Sequence, residues 1–253
     1  MISSNGAVFS ATCWKKISYS LVMIKQQNSH LFSPLFSSLG KKYIMGLTGL
    51  ALCLFVLGHM AGNLLIFVGP EAYNLYGHKL TSNPLYPLIG YGLLGVFAVH
   101  IFTAILLAKE NRAARGGQNY AMSSHGEKAA TAPSKVMIYN GSLLMVFLIT
   151  HLVTFKYGEF YEVTHNGVVM RDLYRLVLEV FQSYAAVLWY LVALVFLAVH
   201  LMHGLQASLQ SLGLAHAKYR CAVKCASLIY AVIVTLGFIS QPLYVLISGG
   251  VSQ

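Results

Sequence analysis

The sequence predicts an all-α membrane protein with five transmembrane helices, and three observations carry that prediction. Hydrophobic residues make up 57% of the chain and charged residues 9%, with a mean hydropathy of +0.65, a composition far from that of a soluble domain. Five apolar stretches, at 43–68, 85–108, 136–156, 184–206 and 225–248, each reach the length of about 20 residues that an α-helix needs to cross a bilayer. The basic residues gather between alternate stretches. Residues 1–42 then read as a cytoplasmic arm and 43–253 as one five-helix domain.

The basic residues also set the orientation. Lys15, Lys16, Lys25, Lys41 and Lys42 precede the first stretch; Lys109, Arg112, Arg115, Lys128 and Lys135 lie between the second and third; Lys218, Arg220 and Lys224 lie between the fourth and fifth. On the opposite side Lys79, Lys156, Arg171 and Arg175 are set among Glu71, Glu159, Glu162, Asp172 and Glu179. The positive-inside rule places the N-terminus in the cytoplasm and the C-terminus outside. The net charge of +10 is therefore a cytoplasmic collar and a docking face. No nucleic-acid motif accompanies it.

Taken in order, the arm holds one short apolar piece, Leu21–Ile24, too short for a secretory h-region. The first helix contains Gly58-His59-Met60 and Gly62-Asn63. Gly58 and Gly62, four apart, serve either close helix packing or the approach of a flat macrocycle to the backbone. The connection 69–87 carries turn residues around Tyr73, Tyr76 and His78. The second helix carries His100, and 111–133 reads as an irregular cytoplasmic loop. The third carries His151 near its outer end. An amphipathic stretch from Arg171 to Phe181 lies at the outer interface. The fourth carries His200 within an apolar run and His203 where Gln206, Ser208 and Gln210 turn it polar. The fifth has neither histidine nor charge, which leaves it a packing role. Cys13, Cys53, Cys221 and Cys225 form no CxxC or CxxCH, against an iron–sulfur cluster, a zinc ribbon or covalent haem.

A histidine inside hydrocarbon has no water to bond and needs a partner in the protein or on a cofactor. Four helices carry one each. Counting depth from the polar ends, Lys42, Lys135, Lys109 and Gln206, puts His59 and His151 in the outer half and His100 and His200 in the inner half. Within a pair the depths agree to about 5–6 Å, which tilt absorbs. Two imidazoles on facing helices are what a six-coordinate, low-spin haem iron needs. The expectation is two haems, with His59/His151 and His100/His200 as axial ligands. Zinc fits poorly, because neither cysteine nor carboxylate joins the histidines. His203, turned about 60° from His200 on the same helix, is either a donor to a haem propionate or an interfacial histidine. Lys41 and Lys42, at the cytoplasmic edge, are further propionate candidates.

With the histidines placed, residues 38–248 resemble the cytochrome b membrane anchor of succinate:quinone oxidoreductases, that is, succinate dehydrogenases and fumarate reductases of the single-anchor, two-haem class. The residues that carry the likeness are Gly58-His59-Met60, Val99-His100, His151-Leu152, and His200 followed by Gly204, Ser208 and Gln210-Ser-Leu-Gly213. The resemblance implies two haem b groups, distal in the outer half and proximal in the inner half. It implies a flavoprotein subunit and an iron–sulfur subunit docked on the cytoplasmic face of the inner (cytoplasmic) membrane, and electrons passing between succinate and a quinone, menaquinone. The chain itself would hold no catalytic residue. Asn63 and His78, near the outer face, are the quinone-binding candidates. No carboxylate lies inside a predicted span, which departs from family members with membrane glutamates. Two other readings stand beside this one: the cytochrome b anchor of a hydrogenase or formate dehydrogenase, and a non-redox scaffold whose histidines pack helices.

Overall fold

Ser37, with extended backbone, accepts a hydrogen bond from the Gly40 amide at 3.0 Å and so starts the first helix ahead of its apolar stretch. Helix α1 runs Ser38–Asn63 and continues as a 3-10 turn, Leu64–Phe67. The computed structural model describes residues 37–115 and 132–248. Most of the basic arm, Cys13 and the centre of the 111–133 loop lie outside the described residues.

Gly69 takes φ +128°, a conformation suited to glycine, and breaks the chain away from α1. Pro70 then opens helix α2, Pro70–Thr81, in the favoured first position. The sequence reading had only turn residues here. The remaining long helices are α3 Tyr86–Arg115, α4 Ala132–His151, α6 Tyr184–Ser211 and α7 Arg220–Ser248. Helices α1, α3, α4, α6 and α7 are long and apolar enough to cross a membrane, as expected for a multi-pass membrane protein. The solvation of α3 says the same: Leu88, Tyr91, Leu94 and Phe102 are 62–75% exposed, a face that only lipid would cover. Several ends extend past the apolar stretches, because hydropathy stops where side chains turn polar and a helix stops where its backbone is capped. Helix α6 reaches Ser211, where Gly213 at φ +77° closes it.

Helix α1 packs against α3 on one side and α6 on the other, α6 packs against α4, and α7 lies along α6. Thus α3, α1, α6 and α4 form a ring in that order, with α1/α4 and α3/α6 as its diagonals. One core joins Cys53 and Met60 of α1 to Leu201 of α6 and to Ala231 and Val234 of α7.

One end of the bundle is closed by a cap made of α2, a hairpin and helix α5, Leu173–Phe181. Strands β1, Glu162–His165, and β2, Val168–Arg171, pair antiparallel. Asn166 (φ 52°) and Gly167 (φ 78°) make the two-residue primed turn that this dipeptide favours. The amphipathic stretch predicted from Arg171 is therefore helix only from Leu173, with Asp172 as its N-cap and Arg171 in the hairpin. Val177 and Phe181 of α5 bury against Ile66, Tyr73, Val187, Tyr190 and Val245.

Asn74 pins the cap. It is 1% exposed, donates to Asp172 at 2.8 Å and accepts from the Tyr174 amide at 2.9 Å. On the surface, Arg175 donates to Glu179 at 2.8 Å and lies 4.0 Å over the Tyr161 ring. Hydrogen bonds from Arg175 and Tyr161 hold the Glu179 carboxyl below its ordinary value.

Asn74→Ala should cost about 1–3 kcal/mol, because it strands two groups in a buried position. Arg175→Gln should leave the stability close to that of the parent, the pair being exposed and screened by solvent. Thermal midpoints of the detergent-purified chain, with protease cleavage of the hairpin followed in parallel, check this. Equal effects would contradict the pinning role.

Candidate functional site

Four half-buried histidines meet as two pairs inside the ring. His59 of α1 and His151 of α4 have ring centroids 5.9 Å apart and planes at 87°. His100 of α3 and His200 of α6 have centroids 6.5 Å apart and planes at 65°. The pairs brought together are the pairs that depth counting joins. Each crosses a diagonal of the ring, so its members reach each other through the bundle interior, where bundles build cofactor sites.

The cap-side pair sits among aromatic rings. His59 stacks on Phe55 at 5.5 Å and faces Phe238 at 5.8 Å. Asn63, one turn on, donates to the His59 carbonyl at 2.8 Å, lies 3.4 Å from His59 Nδ1, and accepts from the Tyr73 hydroxyl at 2.7 Å. Tyr73 belongs to the cap, and burial pushes its hydroxyl above its ordinary pKa. His151 Nδ1 lies 3.1 Å from the Tyr190 hydroxyl, and Phe147 and Phe155 flank its ring at 5.8 and 5.2 Å. Immediately after His151 the helix widens into a π turn, Leu152–Lys156, a feature frequent at functional sites.

The collar-side pair sits over glycine. A Cβ on Gly49 would lie 3.6 Å from His100 Cε1, and one on Gly141 would lie 3.8 Å from His200 Cε1. His100 Nδ1 is 3.1 Å from Thr48 Oγ1. His200 Nδ1 is buried without a hydrogen-bond partner, as is Oδ1 of Asn140, the residue before Gly141; the Asn140 amide nitrogen donates to the Phe196 carbonyl at 3.1 Å. On His100 and His151 a hydroxyl engages Nδ1 and no hydrogen bond among the described residues engages Nε2; on His59 the group facing Nδ1 is a donor, the Asn63 amide nitrogen.

The donor set says what ligand fits. No group of three or more His, Cys, Asp or Glu placed to hold a metal ion occurs among the described residues. Two imidazoles alone fall short of the four ligands of a protein-held zinc. They suit a metal that brings four equatorial donors of its own, as haem iron does.

The other predicted residues are placed as follows. Lys41 is engaged in an ion pair with Glu110, which ties the start of α1 to the end of α3 and lies beyond the predicted second span. Lys42 is exposed beside it, and His203 is half-buried one turn from His200. Asn63 belongs to the His59 network. His78 sits in the last turn of α2, where its carbonyl accepts from Thr81 and Ser82. A cap-end cleft of about 240 Å³ is lined by Tyr76, Lys79, Leu80, Asn83 and Ile89, not by Asn63 or His78.

Sequence reading missed Thr48, Tyr190 and Asn140. Their contacts span 52, 39 and 56 residues of chain, and no local pattern marks them. The two glycines of α1, alike in sequence, differ in place. A Cβ on Gly62 would meet the Tyr76 ring at 2.6–2.8 Å, whereas one on Gly58 would meet nothing within 4 Å. Gly62 therefore serves packing of the cap, and Gly58 borders open space beside His59.

Comparison with family models, curated proteins and solved structures gives no match.

Gly62→Ala should cost about 1–3 kcal/mol through overpacking against Tyr76. Gly58→Ala should be neutral or stabilising by about 0.5–1 kcal/mol, since alanine leaves the unfolded chain fewer conformations to lose on folding than glycine does. Thermal midpoints of the detergent-purified chain decide; the reverse order would contradict the packing described.

Proposed function

We propose that this chain is the two-haem cytochrome b membrane anchor of a succinate dehydrogenase or fumarate reductase, carrying electrons between an iron–sulfur subunit and membrane quinone. The observation that carries the reading is the spacing of the two imidazole pairs. Two imidazoles bonded to one metal at about 2 Å each place their centroids about 6 Å apart, and the pairs stand at 5.9 and 6.5 Å. Histidines that merely packed helices would not need partners across both diagonals of the ring.

In this reading His59 and His151 hold one haem b, and His100 and His200 hold the other. When bound, such groups would supply one-electron redox chemistry, each held by two of these imidazoles. The chain's own contribution is to fix the imidazoles. Apolar helices exclude water, Phe55, Phe147 and Phe155 hold the cap-side rings, and Thr48, Gly49 and Gly141 shape the collar-side niche. The collar end faces the cytoplasm, where basic residues receive the iron–sulfur and flavoprotein subunits through salt-screened attraction. Lys42 and His203 remain the propionate candidates there, with Lys41 shared with Glu110. Menaquinone is the proposed quinone, and the inner membrane the proposed location.

The purified chain should give a pyridine haemochrome stoichiometry near two, with haem extractable by acid–acetone. In redox titrations His59→Ala and His151→Ala should each remove the same component, and His100→Ala and His200→Ala the other. Haem content near zero would overturn the reading, as would loss of different components within a pair. Co-purification of a flavoprotein and an iron–sulfur protein distinguishes this anchor from that of a hydrogenase or formate dehydrogenase.

A further inference from the structure

We propose that Thr48 is the positioning residue of His100: its hydroxyl accepts the Nδ1–H and holds the ring in the tautomer whose lone pair lies on Nε2. The inference rests on the haem reading for what Nε2 then binds. The tautomer itself is a property of the protein alone.

A threonine hydroxyl has one proton to give and two lone pairs to receive with. The Thr48 hydroxyl lies 2.8 Å from the Ile44 carbonyl and 3.2 Å from that of Met45. This is the back-bond that threonine makes to the preceding turn of its own helix. A carbonyl can only accept, so the proton of Thr48 is directed along its own helix. Toward His100, at 3.1 Å, the oxygen then presents a lone pair, and the ring nitrogen facing it must carry the hydrogen. A neutral imidazole has one N–H, so protonation at Nδ1 leaves Nε2 bare.

The adjacent residue gives the ring room for this arrangement. Gly49 offers bare backbone beside His100 Cε1, at 3.6 Å from the position of a Cβ, and the same Cβ would lie 2.7 Å from Ser208 Oγ of α6. Thr48 and Gly49 together thus form a two-residue niche on α1, one part setting the proton and the other admitting the ring and α6. None of the other three histidines has this device among the described residues. His151 faces a Tyr190 hydroxyl with no back-bond of this kind, the nearest side-chain group to His59 Nδ1 is the donor nitrogen of Asn63, and His200 Nδ1 has no partner.

The consequence is selective. An N–H donated to a fixed acceptor orients a metal-bound imidazole and makes it the more basic ligand. It favours the oxidised metal, so the collar-side group should have a lower midpoint potential than it would without Thr48. Thr48→Val keeps the side-chain shape and removes the acceptor; Thr48→Ser keeps the acceptor.

Nitrogen-15 histidine NMR of the haem-free full chain in detergent reads the tautomer directly. The expected result is Nδ1–H at His100 in the parent and in Thr48→Ser, and loss of that preference in Thr48→Val. Redox titration of the haem-loaded chain is the second measurement. Thr48→Val should raise the midpoint of the component lost in His100→Ala and leave the other in place, and Thr48→Ser should restore it. An Nε2–H tautomer in the parent would overturn the proposal, as would unchanged midpoints in Thr48→Val with both haems bound. A chain with the expected tautomer that binds no haem would sink the functional reading and leave the positioning role standing.

Discussion

An imidazole held between apolar helices has two nitrogens to satisfy and no water to satisfy them. This fold answers that constraint only in part. On His100, Nδ1 meets a hydroxyl, and on His151 likewise. On His59 it lies near the amide of Asn63, and on His200 it is bare. On His100 and His151 the second nitrogen has no hydrogen bond, on His200 the first has none, and the rings approach in twos. Leaving such groups without a ligand would cost several kcal/mol apiece in hydrocarbon. In the proposed reading two bis-imidazole centres would relieve that cost.

The rest of the bundle follows from bringing those rings together. Crossing the diagonals of a four-helix ring requires α1 and α6 to pack closely in the middle while α3 and α4 flank them. Glycine makes the close approach possible: a Cβ on Gly46 would press on Ser211 and Ser208 of α6 at 3.2–3.3 Å, and Gly49 leaves room for Ser208. The cap is joined to the same centre. Tyr73 reaches Asn63 and through it the end of α1 that carries His59, and Tyr190 stands between His151 and Phe181 of α5, 4.9 Å from that ring. The cap-side pair is thereby tied to a folded domain, whereas the collar-side pair is held by the helices themselves.

Much of this was legible in the sequence, because a helix converts residue number into depth at 1.5 Å per residue. His59, His100, His151 and His200 could be sorted into twos from their distances to Lys42, Lys109, Lys135 and Gln206. The cap was less legible. The hairpin signal, Asn166-Gly167 between Glu162–His165 and Val168–Arg171, was present but overshadowed by the amphipathic period that follows. Helix α2 was hidden by its own punctuation, since Gly69-Pro70 reads equally as a turn or as a helix start. Thr48, Tyr190 and Asn140 were not legible at all. What makes them part of the site is which face of one helix meets which face of another, and a single sequence carries no record of that.

The central claim is that each pair of imidazoles shares one haem iron. Low-temperature near-infrared magnetic circular dichroism of the oxidised, purified chain reads axial ligation directly, because the ligand-to-iron charge-transfer band reports the two axial donors. The account predicts bis-imidazole low-spin haem alone, at two per chain. High-spin haem, a histidine–methionine signature or a single haem per chain would contradict it.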